Sequence, residues 1–281
     1  MGKIIIGIHG RSNKPRKELL GPWWEQAIRE GLAKNQGLPP TVKFEFHLAY
    51  YSDLFFPQPA PDDNEPYVEA LPGALKRYET SLWDRIRAYG QNWLDDPLDW
   101  LEERSGKLSR FARKILQERM QDLSRYYQEP DLRTNAQARL RSLIQNLQGN
   151  DIMLIAHSMG SIVAYEALRD MGQEPGGQRG IVPQLVTLGS PLGLTPVKGE
   201  VMARYSGRLR TPSVVTQSWV NFSDADDHIC IDAHLADDYD QNSAGIKVRD
   251  QMVSNDFPDN PHKIYGYLRT PEVSEHIARF L

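Results

Sequence analysis

Residues 151–168 read DIMLIAHSMGSIVAYEAL, and the organisation of the whole chain follows from them. The apolar run Ile152–Ile155 has the length and composition of a buried parallel strand. Apolar residues return at helical spacing over Ile162–Leu168. Between the two lies a short turn of mostly small residues, Ala156–Gly160, with Ser158 at its centre. The pattern therefore predicts a strand, a sharp turn and a helix.

A serine at the centre of such a turn is typical of a nucleophile elbow. The turn lifts the serine hydroxyl above the carboxyl edge of the sheet. The first backbone N–H groups of the helix then point toward any anion that forms there. Small residues flank the serine because strand and helix backbones come close together at so tight a turn. A small-x-Ser-x-Gly match is weak by itself, and its position between a strand pattern and a helix pattern makes it specific.

Composition limits the possible classes of protein. The 281 residues suit one large α/β domain with room for an inserted subdomain. A formal net charge of −4 predicts no bulk attraction to nucleic acid or to anionic membranes. The single cysteine, Cys230, excludes an internal disulfide and fits a reducing compartment. The chain has no transmembrane run of apolar residues and no signal-peptide pattern, so we expect a soluble cytoplasmic protein.

Strands and helices alternate along the sequence, which predicts a mostly parallel sheet with right-handed crossovers. The further predicted strands are Lys3–Ile8, Val42–Tyr50, Ile181–Leu188, Val214–Phe222 and Ile246–Val253, and the main predicted helices are Leu19–Lys34, Leu132–Leu147 and Pro271–Leu281. Residues 52–130 contain a proline-rich loop and then charged stretches with helical periodicity. This block is longer than an ordinary connection between a strand and a helix. We interpret it as an inserted helical cap.

Reactive side chains are expected at the carboxyl ends of the strands of a parallel sheet. Ser158 follows the predicted elbow strand. Asp224, Asp226 and Asp227 follow the strand that ends at residue 222, and His262 lies in the last loop before the closing helix. Serine, then aspartate, then histidine is the chain order expected of a catalytic triad on such a sheet.

The chain resembles the α/β-hydrolase superfamily, and in particular its lipase- and esterase-like branch. The segments that carry the resemblance are Ile5–Gly10, Ala156–Gly160, Leu185–Gly193, and Asp224–Ile229 together with His262. The resemblance covers most of the chain outside residues 52–130. Ala156 stands where the usual elbow has glycine, and this change keeps the residue small. The resemblance implies an α/β-hydrolase fold, with a twisted, mostly parallel sheet flanked by helices, and the activity of a serine hydrolase.

The resemblance also implies a role for each triad residue. Ser158 is the predicted nucleophile, and His262 is the base that takes its proton and returns it to the leaving group. Asp227 is the preferred acid, because the family often has an aspartate two residues before a β-branched apolar residue. Asp224 is the alternative acid nearer the strand end, and Asp226 also stays open. His262 is preferred among the histidines because aromatic residues and a closing helix follow it, as in the family.

The predicted oxyanion hole uses backbone N–H groups. One donor is the N–H of Met159, directly after the nucleophile, and the other comes from the loop after the first strand, from Arg11 or its neighbour Ser12. The residues expected at the substrate site are His9, Gly10 and His157.

The predicted reaction is cleavage of a small-molecule or lipid carboxylic ester through an acyl-enzyme, without a metal ion or an organic cofactor. The aspartates and histidines of the loop after Phe222 match no metal-binding motif. Two other functions fit the same pattern. A thioesterase or acyltransferase would use the same triad with a different acyl donor or acceptor, and a non-catalytic binding or scaffold protein would retain only the fold.

Overall fold

The computed structural model describes residues 2–64, 66–79, 121–174, 181–227, 229, 232–257 and 260–281. Within these residues the strands form one six-stranded, all-parallel sheet. The strands are β1 (Lys3–Ile8), β2 (Glu45–Ala49), β3 (Asp151–His157), β4 (Val182–Leu188), β5 (Val215–Asp224) and β6 (Val248–Val253). Their order across the sheet is β2-β1-β3-β4-β5-β6.

Helices cover both faces of this sheet. They are α1 (Lys17–Gln36), α2 (Ser52–Phe55), α3 (Pro130–Asn146), α4 (Met159–Gln173), α5 (Thr195–Arg204), α6 (Leu235–Asp238), α7 (Ile264–Leu268) and α8 (Pro271–Phe280). Residues 121–128 are also helical. The prediction of a mostly parallel sheet with flanking helices is confirmed, and the predicted strands and helices named above lie within a few residues of the observed ones. The sequence pattern did not predict the shorter helices α5, α6 and α7.

The core shows why β3 is apolar along its whole length. Successive side chains of a strand point to opposite faces of the sheet. Ile152 and Leu154 pack with α3 and α4, whereas Met153 and Ile155 pack with α1, α7 and α8. All four side chains are fully buried. A central strand covered on both faces needs apolar residues at every position, which is the pattern that the sequence shows.

The predicted cap is described only at its two ends. Residues 80–120 lie outside the described part of the chain, so the cap remains a prediction. Residues 56–64 and 66–79 form turns and irregular chain after the four-residue helix α2, so the predicted proline-rich loop is observed, whereas the helical stretches predicted after it are not found at residues 62–64 and 66–79. Five prolines between residues 57 and 72 explain the difference, because proline removes a backbone donor and clashes with the preceding helical turn.

Residues 66–79 and the helical segment 121–128 of this block pack against opposite faces of the sheet. On one face, the N–H of Ala70 donates to Glu30 of α1, and the N–H of Tyr78 donates to Glu272 of α8, both at 2.9 Å. On the other face, Tyr126 of the helical segment 121–128 packs into the core formed by α3 and α4. Residues 66–79 therefore lie over one helical layer, and the chain returns over the other.

Gly160 lies where the start of α4 passes the end of β1, and this contact leads to a stability prediction. A Cβ at residue 160 would lie 2.5 Å from the carbonyl oxygen of His9 and 2.7 Å from that of Ile8. We expect Gly160→Ala to lower the free energy of unfolding by about 2 kcal/mol, because backbone atoms must move to admit the methyl group. Urea denaturation followed by tryptophan fluorescence measures this change.

Gly199 provides the matched control. It lies inside α5, where an added Cβ would meet nothing within 4 Å. Gly199→Ala is therefore expected to raise the free energy of unfolding by about 0.5–1 kcal/mol, since alanine loses less conformational freedom in a helix than glycine does. Equal effects at the two positions would contradict the close packing of α4 on β1.

Candidate active site

Ser158 occupies the turn between β3 and α4 in a strained backbone conformation. Its φ is +53° and its ψ is −131°, a region that residues other than glycine rarely adopt. Neighbouring groups hold it there. The N–H of Ser158 donates to the carbonyl of Leu188 at 3.0 Å, and both the N–H and the hydroxyl of Ser161 donate to the carbonyl of Ser158. The Ser161 hydroxyl also lies 2.7 Å from the hydroxyl of Ser190. Hydrogen bonds to the backbone N–H and carbonyl of Ser158 therefore hold this residue in its strained conformation.

His262 and Asp227 form a buried hydrogen-bonded pair. The Nδ1 atom of His262 lies 2.6 Å from Oδ2 of Asp227, and the N–H of Ile229 donates to the other carboxylate oxygen at 2.9 Å. Burial alone would raise the pKa of Asp227. The facing His262 ring and the hydrogen bonds that the carboxylate accepts outweigh burial and hold the pKa below its ordinary value. The carboxylate is therefore charged at neutral pH.

This pair determines which nitrogen of His262 can act as a base. A carboxylate only accepts hydrogen bonds, so Nδ1 of His262 carries the proton that Asp227 binds. In the neutral ring the lone pair is then on Nε2. This tautomer is the one required for accepting a proton from a serine hydroxyl.

The structure gives the other two aspartates different surroundings. The carboxylate of Asp224 accepts the N–H of Asp226 at 2.7 Å and the N–H of Asn255 at 2.5 Å. Burial nevertheless raises the pKa of Asp224 to about 6. The side chain of Asp226 is exposed to solvent. The structure thus places Asp227 next to His262. The carboxylate of Asp224 instead accepts hydrogen bonds from backbone N–H groups of two loops.

His9 fixes the loop that follows β1. Its Nδ1–H donates to the carbonyl of Gly10 at 2.6 Å, and its Nε2 accepts the N–H of Tyr51 at 3.0 Å. Burial lowers the pKa of His9 to about 3, so the ring is neutral at physiological pH. The neutral ring links this loop to the start of α2. Gly10 then passes so close to the elbow that a Cβ there would lie 2.7 Å from Cβ of Ser158.

The predicted oxyanion-hole residues lie on both sides of this contact. Met159 is the first residue of α4. The guanidinium of Arg11 forms an ion pair with Asp122 of the helical segment 121–128, and both side chains are largely buried. Ser12 has a φ of +78°, and its hydroxyl donates to the carbonyl of Arg11 at 2.5 Å. The Arg11–Asp122 pair therefore attaches the loop after β1 to the returning end of the predicted cap.

His157 contacts the loop of His262. Its Nε2–H donates to the backbone carbonyl of His262 at 2.9 Å, and the two ring centroids are 4.7 Å apart. His157 is buried and also lies edge-on to the ring of Trp24. The side chain of the residue before Ser158 thus contacts both the backbone and the ring of His262.

Ser158 and His262 line the same cleft. The cleft has a volume of about 260 Å³. Its other predicted site residues are His9, Gly10, Arg11, Ser12 and His157, its apolar wall includes Leu20, Trp24 and Ile264, and its polar rim includes Asn64 and Asn260. The structure therefore brings the predicted nucleophile, base and first-loop residues together around one space.

Sequence reasoning assigned no role to Gly189 and Tyr267, although both contact the His262–Asp227 pair. Gly189 has a φ of +53°, and a Cβ there would lie 2.8 Å from Oδ2 of Asp227. The hydroxyl of Tyr267 donates to the same oxygen at 2.7 Å. A glycine directly after a predicted strand was a usable signal for close approach. The contact of Tyr267 spans 40 residues and has no local signal.

The comparison with family models identifies the fold. A model described as an alpha/beta hydrolase of unknown function (DUF900) matches residues 122–202. This range includes β3, the turn at Ser158, α4 and β4. The description of this family agrees with the six-stranded parallel sheet and with the helices on the two faces of the sheet. The chain has an α/β-hydrolase fold. Searches of curated proteins and of solved structures gave no match.

On this α/β-hydrolase sheet, each of the three predicted triad residues lies in the chain segment that follows a strand. Ser158 follows β3, Asp227 follows β5, and His262 lies between β6 and α7. Within the described ranges, no helix is long and apolar enough to cross a membrane. The same part of the chain contains no group of three or more His, Cys, Asp or Glu residues placed to hold a metal ion.

Proposed function

We propose that this α/β-hydrolase is a serine hydrolase that cleaves a carboxylic ester through an acyl-enzyme on Ser158. One observation carries the proposal. A serine in a strained turn shares a cleft with a buried histidine that is held at 2.6 Å from a charged aspartate. Strain of this kind persists where the surroundings impose it, and it concentrates at functional sites.

Each residue of the proposed triad has one task. Nε2 of His262 takes the proton of the Ser158 hydroxyl as the oxygen attacks the ester carbonyl, because serine is a weak nucleophile without an adjacent base. Asp227 stabilises the imidazolium and keeps the ring in the required tautomer. His262 then gives the proton to the departing alkoxide. A water molecule, deprotonated by the same ring, then attacks the acyl carbon, and His262 returns that proton to the Ser158 oxygen as the acid leaves.

The proposed oxyanion hole uses the N–H of Met159 and an N–H of Arg11 or Ser12. A preorganised donor of this kind is worth about 3 kcal/mol in the transition state. Preorganisation is supported by the contacts around the first loop, where His9 bonds the Tyr51 backbone and Arg11 pairs with Asp122.

The cleft also supports a choice of acyl group. Its volume of about 260 Å³ is small for a ligand site, and Leu20, Trp24 and Ile264 form an apolar wall. These features favour a short acyl chain.

A panel of nitrophenyl esters with acyl chains from acetyl to decanoyl tests the proposed function, alongside acyl thioesters of the same lengths with and without an added alcohol. We expect the highest kcat/KM for a short ester. Turnover of thioesters alone, or transfer of the acyl group to the alcohol, would instead favour a thioesterase or an acyltransferase. No turnover of any acyl donor would contradict the proposal and favour a binding or scaffold protein.

A further inference from the structure

Tyr267 of α7 is fully buried beside the His262–Asp227 pair, and its hydroxyl contacts the end of β5 and the turn that follows it. The oxygen accepts the backbone N–H of Asp224 at 3.0 Å and lies 2.7 Å from Oδ2 of Asp227. A tyrosine hydroxyl has a single proton. Because the N–H of Asp224 can only donate, the hydroxyl proton points to the carboxylate of Asp227.

The Asp224 backbone is itself held in place. Its carboxylate accepts the N–H groups of Asp226 and Asn255, and these bonds connect the end of β5 to the loop after β6. The N–H that orients the Tyr267 hydroxyl therefore comes from a fixed segment. With this N–H donating to its oxygen, the hydroxyl donates to the carboxylate of Asp227.

Oδ2 of Asp227 then receives two protons, one from Nδ1 of His262 and one from Tyr267. The other carboxylate oxygen receives the N–H of Ile229. Three donors from three segments define the plane of the carboxylate. The hydroxyl also draws charge from the oxygen that stabilises the imidazolium, because a hydrogen bond to the charged form of an acid lowers its basicity.

We propose that Tyr267 is a positioning residue of this site: its hydroxyl orients the carboxylate of Asp227, shares its charge and thereby sets the pH at which the His262 ring takes up a proton. The inference rests on the proposed function for its catalytic consequence, although the effect on His262 can be measured without turnover. Among the described residues, the titratable or charged groups around the His262–Asp227 pair include His157 on β3, Asp224 at the end of β5, Asp226 next to Asp227 in the chain, Tyr267 on α7 and Lys263 next to His262 in the chain.

The test compares Tyr267→Phe with the wild-type protein by NMR titration of the His262 ring, whose signal is identified by its loss in His262→Gln. Phenylalanine keeps the ring and removes only the donor. Asp227 then concentrates its charge on the imidazolium, so the midpoint of the titration should rise by about half a pH unit. The kcat for a short nitrophenyl ester should nevertheless fall about 10-fold with KM nearly unchanged, because the carboxylate of Asp227 loses one of the three donors that orient it toward His262.

Tyr239→Phe is the matched control. Tyr239 is also fully buried, and its hydroxyl donates to the carbonyl of Leu192 at 2.9 Å. The variant loses the same atom and one buried hydrogen bond, and we expect the His262 midpoint and kcat to stay at their wild-type values. A second measurement uses the unaltered protein. The Tyr267 hydroxyl proton and the His262 Nδ1 proton point to the same oxygen, so they should give a nuclear Overhauser cross-peak.

An unchanged His262 midpoint in Tyr267→Phe would overturn the inference, and so would absence of the cross-peak if that variant does not fold. A midpoint that moves equally in Tyr239→Phe would overturn it as well. If the wild-type protein hydrolyses no ester and the midpoint still rises in Tyr267→Phe, the proposed function fails while the role of Tyr267 toward Asp227 stands.

Discussion

Ser158→Ala is expected to lower kcat for a short nitrophenyl ester by about 10⁴-fold or more, which is the largest effect that we predict. Alanine removes the only atom of the elbow that could form the acyl-enzyme. The backbone donors of the oxyanion hole would remain, so the residual rate reports what they and binding contribute. Stopped assays with purified enzyme at substrate saturation measure kcat directly.

Ser142→Ala is the control for this substitution. Ser142 is exposed on α3, so the variant removes a hydroxyl without touching the cleft. Its kcat is expected to match the wild-type value. Undiminished turnover in Ser158→Ala, with thermal unfolding unchanged, would rule out Ser158 as the nucleophile.

The second large effect distinguishes the aspartates. Asp227→Asn should lower kcat by about 10³- to 10⁴-fold, because an amide can donate to Nδ1 of His262 and hold the ring in the wrong tautomer. The protein is expected to remain folded, since asparagine preserves the shape of the side chain. The measurement is kcat for the short nitrophenyl ester, with circular dichroism to confirm folding.

Asp224→Asn makes the same chemical change three residues earlier in the chain. The carboxylate of Asp224 accepts the backbone N–H groups of Asp226 and Asn255, whereas that of Asp227 binds His262. We therefore expect a much smaller loss of kcat in Asp224→Asn. Asparagine removes the cost of burying a charge, which raises the pKa of Asp224 to about 6, but its NH2 group would face one of the two backbone N–H donors, so circular dichroism must confirm that the variant folds. A larger loss of kcat in Asp224→Asn than in Asp227→Asn would reverse the assignment of the acid.

The elbow was predictable from sequence because its signals are local. The apolar strand, the small residues around Ser158 and the helical spacing all lie within 18 residues, and each follows from steric rules that operate over a few bonds. The parallel sheet was predictable for a related reason. Buried strands that alternate with helices have few topological solutions.

Other features depend on contacts between distant parts of the chain. His262 and Asp227 are separated by 35 residues, and sequence alone left three aspartates open. The pair between Arg11 and Asp122 spans 111 residues, so no local pattern could indicate it. The helical prediction for the residues that follow the proline-rich loop gave too little weight to Pro66 and Pro72. Periodicity describes which side chains could share a face, and the missing backbone donors decide whether a helix forms.

The central claim is that the hydroxyl of Ser158 becomes covalently modified by an electrophilic acyl or phosphonyl group. Mass spectrometry of the wild-type protein after treatment with a fluorophosphonate tests it most directly. The account predicts one adduct per chain, located by peptide fragmentation at Ser158, and its absence when the protein is denatured before treatment. An unmodified Ser158 in the folded, treated protein, or an adduct on a different residue, would contradict the account.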